Sequence, residues 1–352
     1  MPETAALAEG QPARTESADT EAARSENDAE ADDRGAGAPD GTTQRPSLVK
    51  GLVKTIRPHQ WVKNLFVAAP MFFHKDVFLS TPAGPALNLT VTGRAALATG
   101  VFCLLAGAVY TINDVVDVEA DRAHPVKRFR PIPSGVVPVP VAKAMAATLV
   151  LFSLGVGFVL DWRFGAVAAL YFVENIAYSF KLKKVAFLDV GLIAFGFVLR
   201  VVAGGLATDT RVSGYMLACT ALLALFLGFG KRRHELAGSH AGKTRVALEA
   251  YSPTALNVAL ALSGTATAGT YVAYTLDPDT RAFFNSDWLW LTAPFTIFGI
   301  VRFLMLVSGR AGRGRRSESP TQEMLSDVPF VLNLVVWVIV VVAVVYRLRP
   351  GT

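Results

Sequence analysis

The sequence has only two cysteines in 352 residues, Cys103 and Cys219, and both stand inside apolar runs. This excludes a disulfide framework and a cysteine metal site, so we interpret both as small buried side chains. The sequence also lacks an evident Ser/His/Asp arrangement, a paired acid/base motif and an internal repeat. Apolar residues are abundant instead: 52% of the chain is hydrophobic and the mean hydropathy is +0.40, which places it among membrane proteins.

The first 46 residues differ in composition from the rest. They contain eleven Asp and Glu, four Arg and almost no aromatic or β-branched residues; their net charge is −7, and the total of +6 leaves +13 for the remainder. Such a segment buries too little apolar surface to offset the entropy cost of ordering. We expect a disordered acidic tail over residues 1–47, without a signal peptide's basic start and apolar middle, and a membrane catalytic domain over 48–352.

Apolar segments of about 20 residues, the length that crosses a bilayer, recur along that domain. They predict an all-α integral membrane protein with nine transmembrane helices, at roughly 61–79, 91–112, 139–160, 163–180, 187–207, 212–230, 253–276, 287–307 and 328–347. Pro70 interrupts the first of them.

Basic residues are shared unequally between the connections. Sixteen Lys and Arg follow the second, fourth, sixth and eighth spans, whereas the four opposite connections hold four. Because cytoplasmic loops are enriched in Lys and Arg, this predicts a multi-pass protein of the inner (plasma) membrane with the N-terminus inside and the C-terminus outside. The same rule accounts for most basic loops without any binding role.

An acidic motif ends the second span. Asn113, Asp114, Asp117 and Asp121 recur at spacings of three and four, so a helix places them on one side. Carboxylates this close repel each other unless a cation lies among them. Mg²⁺ takes oxygen ligands and commonly bridges one or two carboxylates to substrate phosphates. We predict that these four residues bind Mg²⁺ and that the three carboxylates are catalytic.

A basic loop punctuated by Pro and Gly follows the acidic motif. It contains Lys127, Arg128 and Arg130, and continues as Pro-Ile-Pro-Ser-Gly over 131–135. Carboxylates can hold a metal while Lys and Arg hold the outer oxygens of a phosphate. Together the two segments predict a diphosphate site with its substrate-binding face toward the cytoplasm. His124 is interpreted as packing the loop.

Two further groups of polar residues end later spans on the same side. They are Tyr178, Lys181 and Lys183 after the fourth span, and Lys231, Arg232 and Glu235 after the sixth. For the first group, phosphate binding and an interfacial aromatic–lysine anchor fit equally well. For the second, mixed charge favours a substrate-binding site over a topology signal.

Three more candidates lie at or within the spans. Arg200 stands well inside the fifth span, where a charge is costly and is a functional hypothesis by default. We predict that it binds an anionic group in the cavity; an ion pair with Glu174 is the alternative. Lys63 and Asn64 begin the first span and are candidate substrate-binding residues, although Lys at this position is also an ordinary interface anchor.

The acidic motif and the loop after it resemble those of the UbiA superfamily of intramembrane prenyltransferases. The matching patterns are Asn-Asp-x-x-Asp-x-x-x-Asp at 113–121 and Arg-Pro-x-Pro-Ser-Gly at 130–135, and the resemblance covers about residues 48–347. Arg-Pro-x-x-Trp-x-Lys-Asn at 57–64 and Gly-Lys-Arg at 230–232 are similar to the branch that serves actinobacterial cell-wall arabinan synthesis. Aromatic prenyltransferases carry a second acidic run after the sixth span, where this chain is basic.

The resemblance implies a nine-helix UbiA-type bundle with cytoplasmic cap loops, and Mg²⁺ as cofactor. It implies transfer of 5-phosphoribose from phosphoribosyl diphosphate to a long polyprenyl (decaprenyl) phosphate, with release of diphosphate. No nucleic-acid partner is expected, and a homo-oligomer is left open. Two alternatives remain: an aromatic or quinone polyprenyltransferase of the same superfamily, and a transporter of a phosphorylated lipid or anion, against which the lack of matched broken helices speaks.

Overall fold

A computed structural model describes residues 47–75, 77–81, 84–237, 248, 250–309 and 320–346. Apart from Ser47, the predicted acidic tail lies outside these residues, as do the basic clusters at 243–245 and 310–316. The α-helices are α1 (Leu48–Thr55), α2 (Ala69–Phe73), α3 (Leu89–Val116), α4 (Val118–Ala123), α5 (Val139–Leu160), α6 (Trp162–Phe180), α7 (Leu188–Thr208), α8 (Gly214–Leu236), α9 (Pro253–Leu276), α10 (Pro278–Phe284), α11 (Ala293–Val307), α12 (Pro320–Ser326) and α13 (Val328–Tyr346). Short 3-10 helices are Pro58–Val67, Lys127–Phe129, Leu182–Lys184 and Leu289–Thr292.

Eight of the nine predicted spans coincide with long helices in the described part of the chain. They are α3, α5, α6, α7, α8, α9, α11 with the 3-10 helix before it, and α13. Six are long and apolar enough to cross a membrane: α3, α5, α7, α8, Leu289–Val307 and α13. The protein is therefore a mostly helical, multi-pass bundle.

The first predicted span, 61–79, is not a continuous helix. The chain runs through the 3-10 helix Pro58–Val67 and the short α2, then turns into an antiparallel hairpin of β1 (Phe78–Thr81) and β2 (Gly84–Leu87). Pro70 lacks a backbone N–H, which limits regular helix here. The 3-10 helix packs closely on α7, since a Cβ at Gly204 would lie 1.8 Å from the Val67 carbonyl oxygen. The prediction of a regular first span and of a chain without strands is thus wrong.

Two apolar clusters fill the bundle. The first joins the 3-10 helix, α3, α6 and α7 through Val67, Ala98, Val101, Phe102, Leu105, Phe164, Ala168, Tyr171, Leu199, Ala203 and Ala207. The second joins α8, α9 and α11 through Phe226, Leu260, Ile300, Phe303 and Val307. Since α7 packs against α8, the two clusters lie side by side.

The bundle has two distinct ends. At one end α3 ends, α7 begins and α8 ends; we call it the motif end because the acidic motif lies there. α1 packs there, with Leu52 against Ile132 and Val137. At the opposite end the Phe72 carbonyl accepts a hydrogen bond of 2.7 Å from the Tyr346 hydroxyl at the close of α13. The irregular segment after α1 therefore leads from the motif end to the opposite end.

Candidate active site

The acidic motif lies on an almost continuous pair of helices. α3 ends at Val116 and α4 begins at Val118, yet the Asp117 N–H donates to the Asn113 carbonyl at 2.9 Å and the Asp121 N–H to the Asp117 carbonyl at 2.8 Å. Helical spacing is thus kept across the junction, and Asp114 and Asp121, two turns apart, share one face. Both are 3% exposed, whereas Asn113 and Asp117 are half-buried.

Arg130 bridges the two buried carboxylates. Its Nη1 lies 2.7 Å from Asp121 Oδ2 and 3.3 Å from Asp114 Oδ1. Lys127 Nζ approaches Asp121 Oδ1 at 3.8 Å. The two carboxylates therefore converge on a single cationic atom, and the loop predicted to bind phosphate lies against them.

Arg57 reaches the same site from a distant part of the chain. Its Nη2 donates to Asp114 Oδ1 at 2.6 Å, and its guanidinium lies 5.0 Å from the ring centre of Tyr110. Arg57 has a φ of 52°, in the left-handed region that a non-glycine residue adopts at a cost of about 1–3 kcal/mol. The ion pair with Asp114 offsets part of this cost.

The basic loop is held in place by local contacts. His124 Nδ1 accepts from the backbone N–H groups of Val126 and Lys127 at 3.2 and 3.3 Å, which confirms its predicted loop-packing role. Gly135 has a φ of 80°, so only glycine is relaxed at this turn. The loop then returns to α1, where a Cβ at Gly51 would lie 2.8 Å from a Val137 methyl group. Lys127 and Arg130 are half-buried here, while Arg128 is exposed.

The carboxylates suit a metal that is shared with a substrate. Among the described residues, no group of three or more His, Cys, Asp or Glu side chains is close enough to enclose a metal ion. Two carboxylates that already converge on one guanidinium nitrogen nevertheless form a cation position, and Mg²⁺ is commonly bound by one or two carboxylates plus phosphate oxygens. The donor set fits a metal–diphosphate complex better than a closed protein site.

Arg200 lies deeper in the bundle among neutral partners. It is 8% exposed, and it donates from Nε to Asn64 Oδ1 at 2.9 Å, from Nη1 to the Gly196 carbonyl at 2.9 Å and from Nη2 to the Tyr171 hydroxyl at 2.7 Å. Glu174 instead accepts from the Asn175 amide at 2.8 Å and makes no ion pair with Arg200 within 4.0 Å in the described structure. The alternative prediction of an Arg200–Glu174 ion pair is therefore wrong.

Arg232 belongs to a buried network at the motif end. It is 1% exposed, and its Nε lies 2.7 Å from Oδ2 of Asp189, which is fully buried. Its Nη1 also pairs with Glu235. Tyr251 donates to Asp189 Oδ1 at 2.6 Å and accepts from the Phe187 N–H at 2.6 Å. In this state the guanidinium predicted to bind substrate neutralises two carboxylates and joins α7 to α8.

The other predicted residues lie around this network. Lys231 approaches Glu235 Oε1 at 4.0 Å. Tyr178 is half-buried at the end of α6; Lys181 follows it and is exposed, and Lys183 is half-buried in the next 3-10 turn. The structure gives neither of these two lysines a side-chain ion pair with a described residue. All of them stand at the motif end, as the sequence predicts.

Lys63 connects the motif end with the deep polar group. Its side chain is exposed, although it stands beside the buried Asn64. The positive charges of Lys231, Arg200 and Arg57 act on its ammonium group. Lys63 therefore stands among basic residues of both groups.

Residues 67–318 match the UbiA prenyltransferase family. The chain belongs to this family. Relatives named decaprenyl-phosphate phosphoribosyltransferase include one from Mycolicibacterium smegmatis, 36% identical over 311 residues, which are 85% of this chain and 94% of that protein. The one from Corynebacterium glutamicum is 35% identical over 85% of this chain and 88% of that protein. The predicted family resemblance is thereby confirmed.

The family fold is also found by comparison of structures. A solved UbiA homolog from Archaeoglobus fulgidus, bound to DMAPP and Mg²⁺, superimposes with a TM-score of 0.62 at 17% sequence identity. The match covers 85% of this chain and all of that chain. This likeness confirms the UbiA fold for the helical bundle.

The predicted site residues leave out three residues that the structure brings into these groups. Arg57 contacts Asp114, Tyr171 contacts Arg200, and Asp189 contacts Arg232. A signal existed for Arg57, which begins the stretch at 57–64 that resembles other members of the family. No local pattern marks Tyr171, which lies inside an apolar helix.

Proposed function

We propose that this protein transfers 5-phosphoribose from phosphoribosyl diphosphate to a long-chain polyprenyl phosphate and releases diphosphate, as a step in cell-wall arabinan precursor synthesis. The observation that carries the proposal is the convergence of Asp114 and Asp121 on Arg130 at one end of a membrane bundle. The relatives named decaprenyl-phosphate phosphoribosyltransferase support the choice of substrates, because they match most of this chain.

Asp114, Asp117 and Asp121, with Asn113, are the residues that would hold Mg²⁺. When bound, Mg²⁺ supplies charge neutralisation for the leaving diphosphate. Asp114 and Asp121 face one position, which the Arg130 guanidinium occupies in this structure and would vacate for the metal. Asp117 makes no side-chain hydrogen bond or ion pair with a described residue, which leaves its carboxylate available.

Basic side chains at the edge of the carboxylates bind the outer phosphate oxygens. Arg57, Lys127 and Arg130 lie within 4 Å of Asp114 or Asp121, and all three are partly exposed. A guanidinium binds phosphate through two parallel N–H groups, which also fixes its orientation. Arg128 is exposed on the same loop and completes the basic edge.

The acceptor needs no strong base in this scheme. A polyprenyl phosphate is anionic at neutral pH, so its oxygen attacks the sugar C1 without losing a proton in the same step. Glycosyl transfer passes through an oxocarbenium-like state as the bond to the leaving group breaks. Positive charge around the departing diphosphate stabilises the negative charge that develops on it. The apolar helix walls accommodate the lipid tail.

We further propose that the motif end faces the cytoplasm of a plasma-membrane protein. The excess of Lys and Arg in the connections at this end supports that orientation. The contact between Tyr346 and Phe72 supports a C-terminus on the outer side, since α13 closes at the opposite end.

The test is a reconstituted transfer assay. Purified protein in lipid is given radiolabelled phosphoribosyl diphosphate, polyprenyl phosphate and Mg²⁺, and the labelled lipid is extracted. A parallel reaction supplies 4-hydroxybenzoate and a prenyl diphosphate. Label in the lipid, dependent on Mg²⁺, is the expected result; prenylation of the aromatic acid without phosphoribosyl transfer would overturn the proposal.

A further inference from the structure

Arg200 carries a buried positive charge that no carboxylate neutralises directly. Its three hydrogen-bond acceptors, an amide oxygen, a backbone carbonyl and a phenol, are all neutral. A guanidinium has five N–H donors, so two remain after these bonds. A buried charge is costly without a counter-ion, and inside a membrane protein such a residue marks a functional site by default.

Glu174 is the nearby carboxylate, and it does not remove this imbalance. Glu174 Oε2 and Arg200 Nη1 both border Gly196, at 3.6 and 3.5 Å from the position of a Cβ there. Even so, they form no ion pair within 4.0 Å in the described structure, and the carboxylate is held by the Asn175 amide. The neutral partners thus hold the guanidinium in place without satisfying its charge.

Lys63 adds a second positive group beside Arg200. It precedes Asn64, whose side-chain oxygen accepts from Arg200, and its ammonium group forms no hydrogen bond or ion pair with a described residue. The Lys63 side chain is exposed in the bundle, whereas that of Arg200 is buried. Arg200 and Lys63 are thus two cations that act on each other electrostatically, and neither forms an ion pair with a carboxylate of the described residues.

Asn64 and Arg200 lie deeper than the acidic motif. The Asn64 amide donates to the Cys103 sulfur at 3.4 Å, and Cys103 lies eleven residues before Asp114 on α3, which is about 16 Å along the helix. Tyr110, whose ring lies against the Arg57 guanidinium, is on α3 between Cys103 and Asp114. The described residues therefore offer two regions for anions: one at the motif end, where the cations pair with carboxylates, and one further in, where Arg200 bonds only to neutral groups.

We propose that Lys63 and Arg200, positioned by Asn64 and Tyr171, bind a phosphate monoester, separately from the diphosphate region at Asp114 and Asp121. The inference rests on the proposed function, because both proposed substrates carry such a group: the 5-phosphate of the sugar and the phosphate of the lipid. Cations that are not paired with carboxylates bind a phosphate by direct charge-assisted hydrogen bonds and need no metal.

The experiment measures the affinity of three probes for the full chain in lipid nanodiscs. The probes are ribose 5-phosphate, a short-chain polyprenyl phosphate, and pyrophosphate with Mg²⁺. The variants are Lys63→Gln, Arg200→Lys and Asp121→Asn. Lys143→Gln, at an exposed lysine of α5, is the matched control. Lys63 is exposed, so its substitution tests the site even where a change at the buried Arg200 prevents folding.

We expect Lys63→Gln to weaken binding of one phosphate monoester about tenfold to a hundredfold, the effect of losing one hydrogen bond to a charged group. Pyrophosphate affinity should stay within about twofold of wild type. Asp121→Asn should show the reverse pattern. A loss confined to ribose 5-phosphate assigns the site to the sugar, and a loss confined to the lipid probe assigns it to the acceptor.

Two results would overturn the inference: equal weakening of all three probes, or unchanged binding of both monoesters. Failure of the proposed function is distinguishable. It would show as no phosphoribosyl transfer by the wild type while monoester binding still depended on Lys63. If the wild type transfers phosphoribose but Lys63→Gln leaves monoester affinity unchanged, only this inference is rejected.

Discussion

Asp121→Asn separates the chemical role of the acidic motif from its structural role. The substitution keeps the shape of the side chain and removes its charge. Asp121 is 3% exposed and lies 2.7 Å from Arg130 and 3.8 Å from Lys127. If its carboxylate shares a metal with the substrate, transfer should fall at least about 100-fold, since even changes to groups behind a metal ligand cost about 10–100-fold.

The cost in stability should be small by comparison. Arg130 keeps its ion pair with Asp114 at 3.3 Å and is about one-third exposed, so its charge remains paired and in contact with solvent. We expect a loss of about 1 kcal/mol in the free energy of unfolding, the value of one ordinary hydrogen bond. Folded, membrane-inserted but inactive protein is therefore the expected product.

The assay measures labelled polyprenyl product against Mg²⁺ concentration, with thermal unfolding in detergent recorded in parallel. Glu119→Gln is the matched control because it makes the same chemical change on α4. Glu119 is 80% exposed and pairs with Arg122 at 2.9 Å, a surface contact worth about 0–1 kcal/mol. Activity of Asp121→Asn within twofold of this control would refute the reasoning.

Two further predictions follow from other parts of the structure. Gly204→Ala should lower the unfolding temperature or block expression, since its Cβ would lie 1.8 Å from a carbonyl oxygen; Gly191→Ala on the same helix meets no atom within 4 Å and should be neutral or slightly stabilising. Asp189→Asn should lower the free energy of unfolding by about 3–5 kcal/mol, because it leaves a buried guanidinium with one carboxylate fewer, whereas Tyr251→Phe should cost about 1 kcal/mol; similar losses from both, measured by denaturant unfolding in detergent, would contradict this ranking.

Much of the architecture can be predicted from the sequence because it depends on local pattern. Apolar runs of bilayer length mark α3, α5, α7, α8 and α13, and their helix bounds fall within six residues of the predicted spans. The first span could not be predicted correctly in form. Its apolar composition suits a bilayer. The structure nevertheless has a 3-10 helix and a short α-helix there, and the 3-10 helix packs closely against Gly204.

In the candidate site, a contact could be predicted from the sequence only where the two partners lie close together along the chain. The spacing of Asp114, Asp117 and Asp121 is enough to place them on one helical face, because helical periodicity is a local property. The partner of Asp114 is Arg57, 57 residues away, and the partner of Arg200 is Asn64, 136 residues away. No periodicity connects such pairs.

The sequence alone determined that the chain enters a membrane many times and carries an acidic motif beside a basic loop, because both depend on the order of neighbouring residues. Only the tertiary structure decided that Arg232 neutralises Asp189 inside the protein, while Arg200 is surrounded by neutral groups. Both are arginines on membrane helices, Arg200 within an apolar run and Arg232 within the charged run at 231–235, and neither run reveals the partner. Their roles differ because packing brings a carboxylate to one guanidinium and an amide to the other.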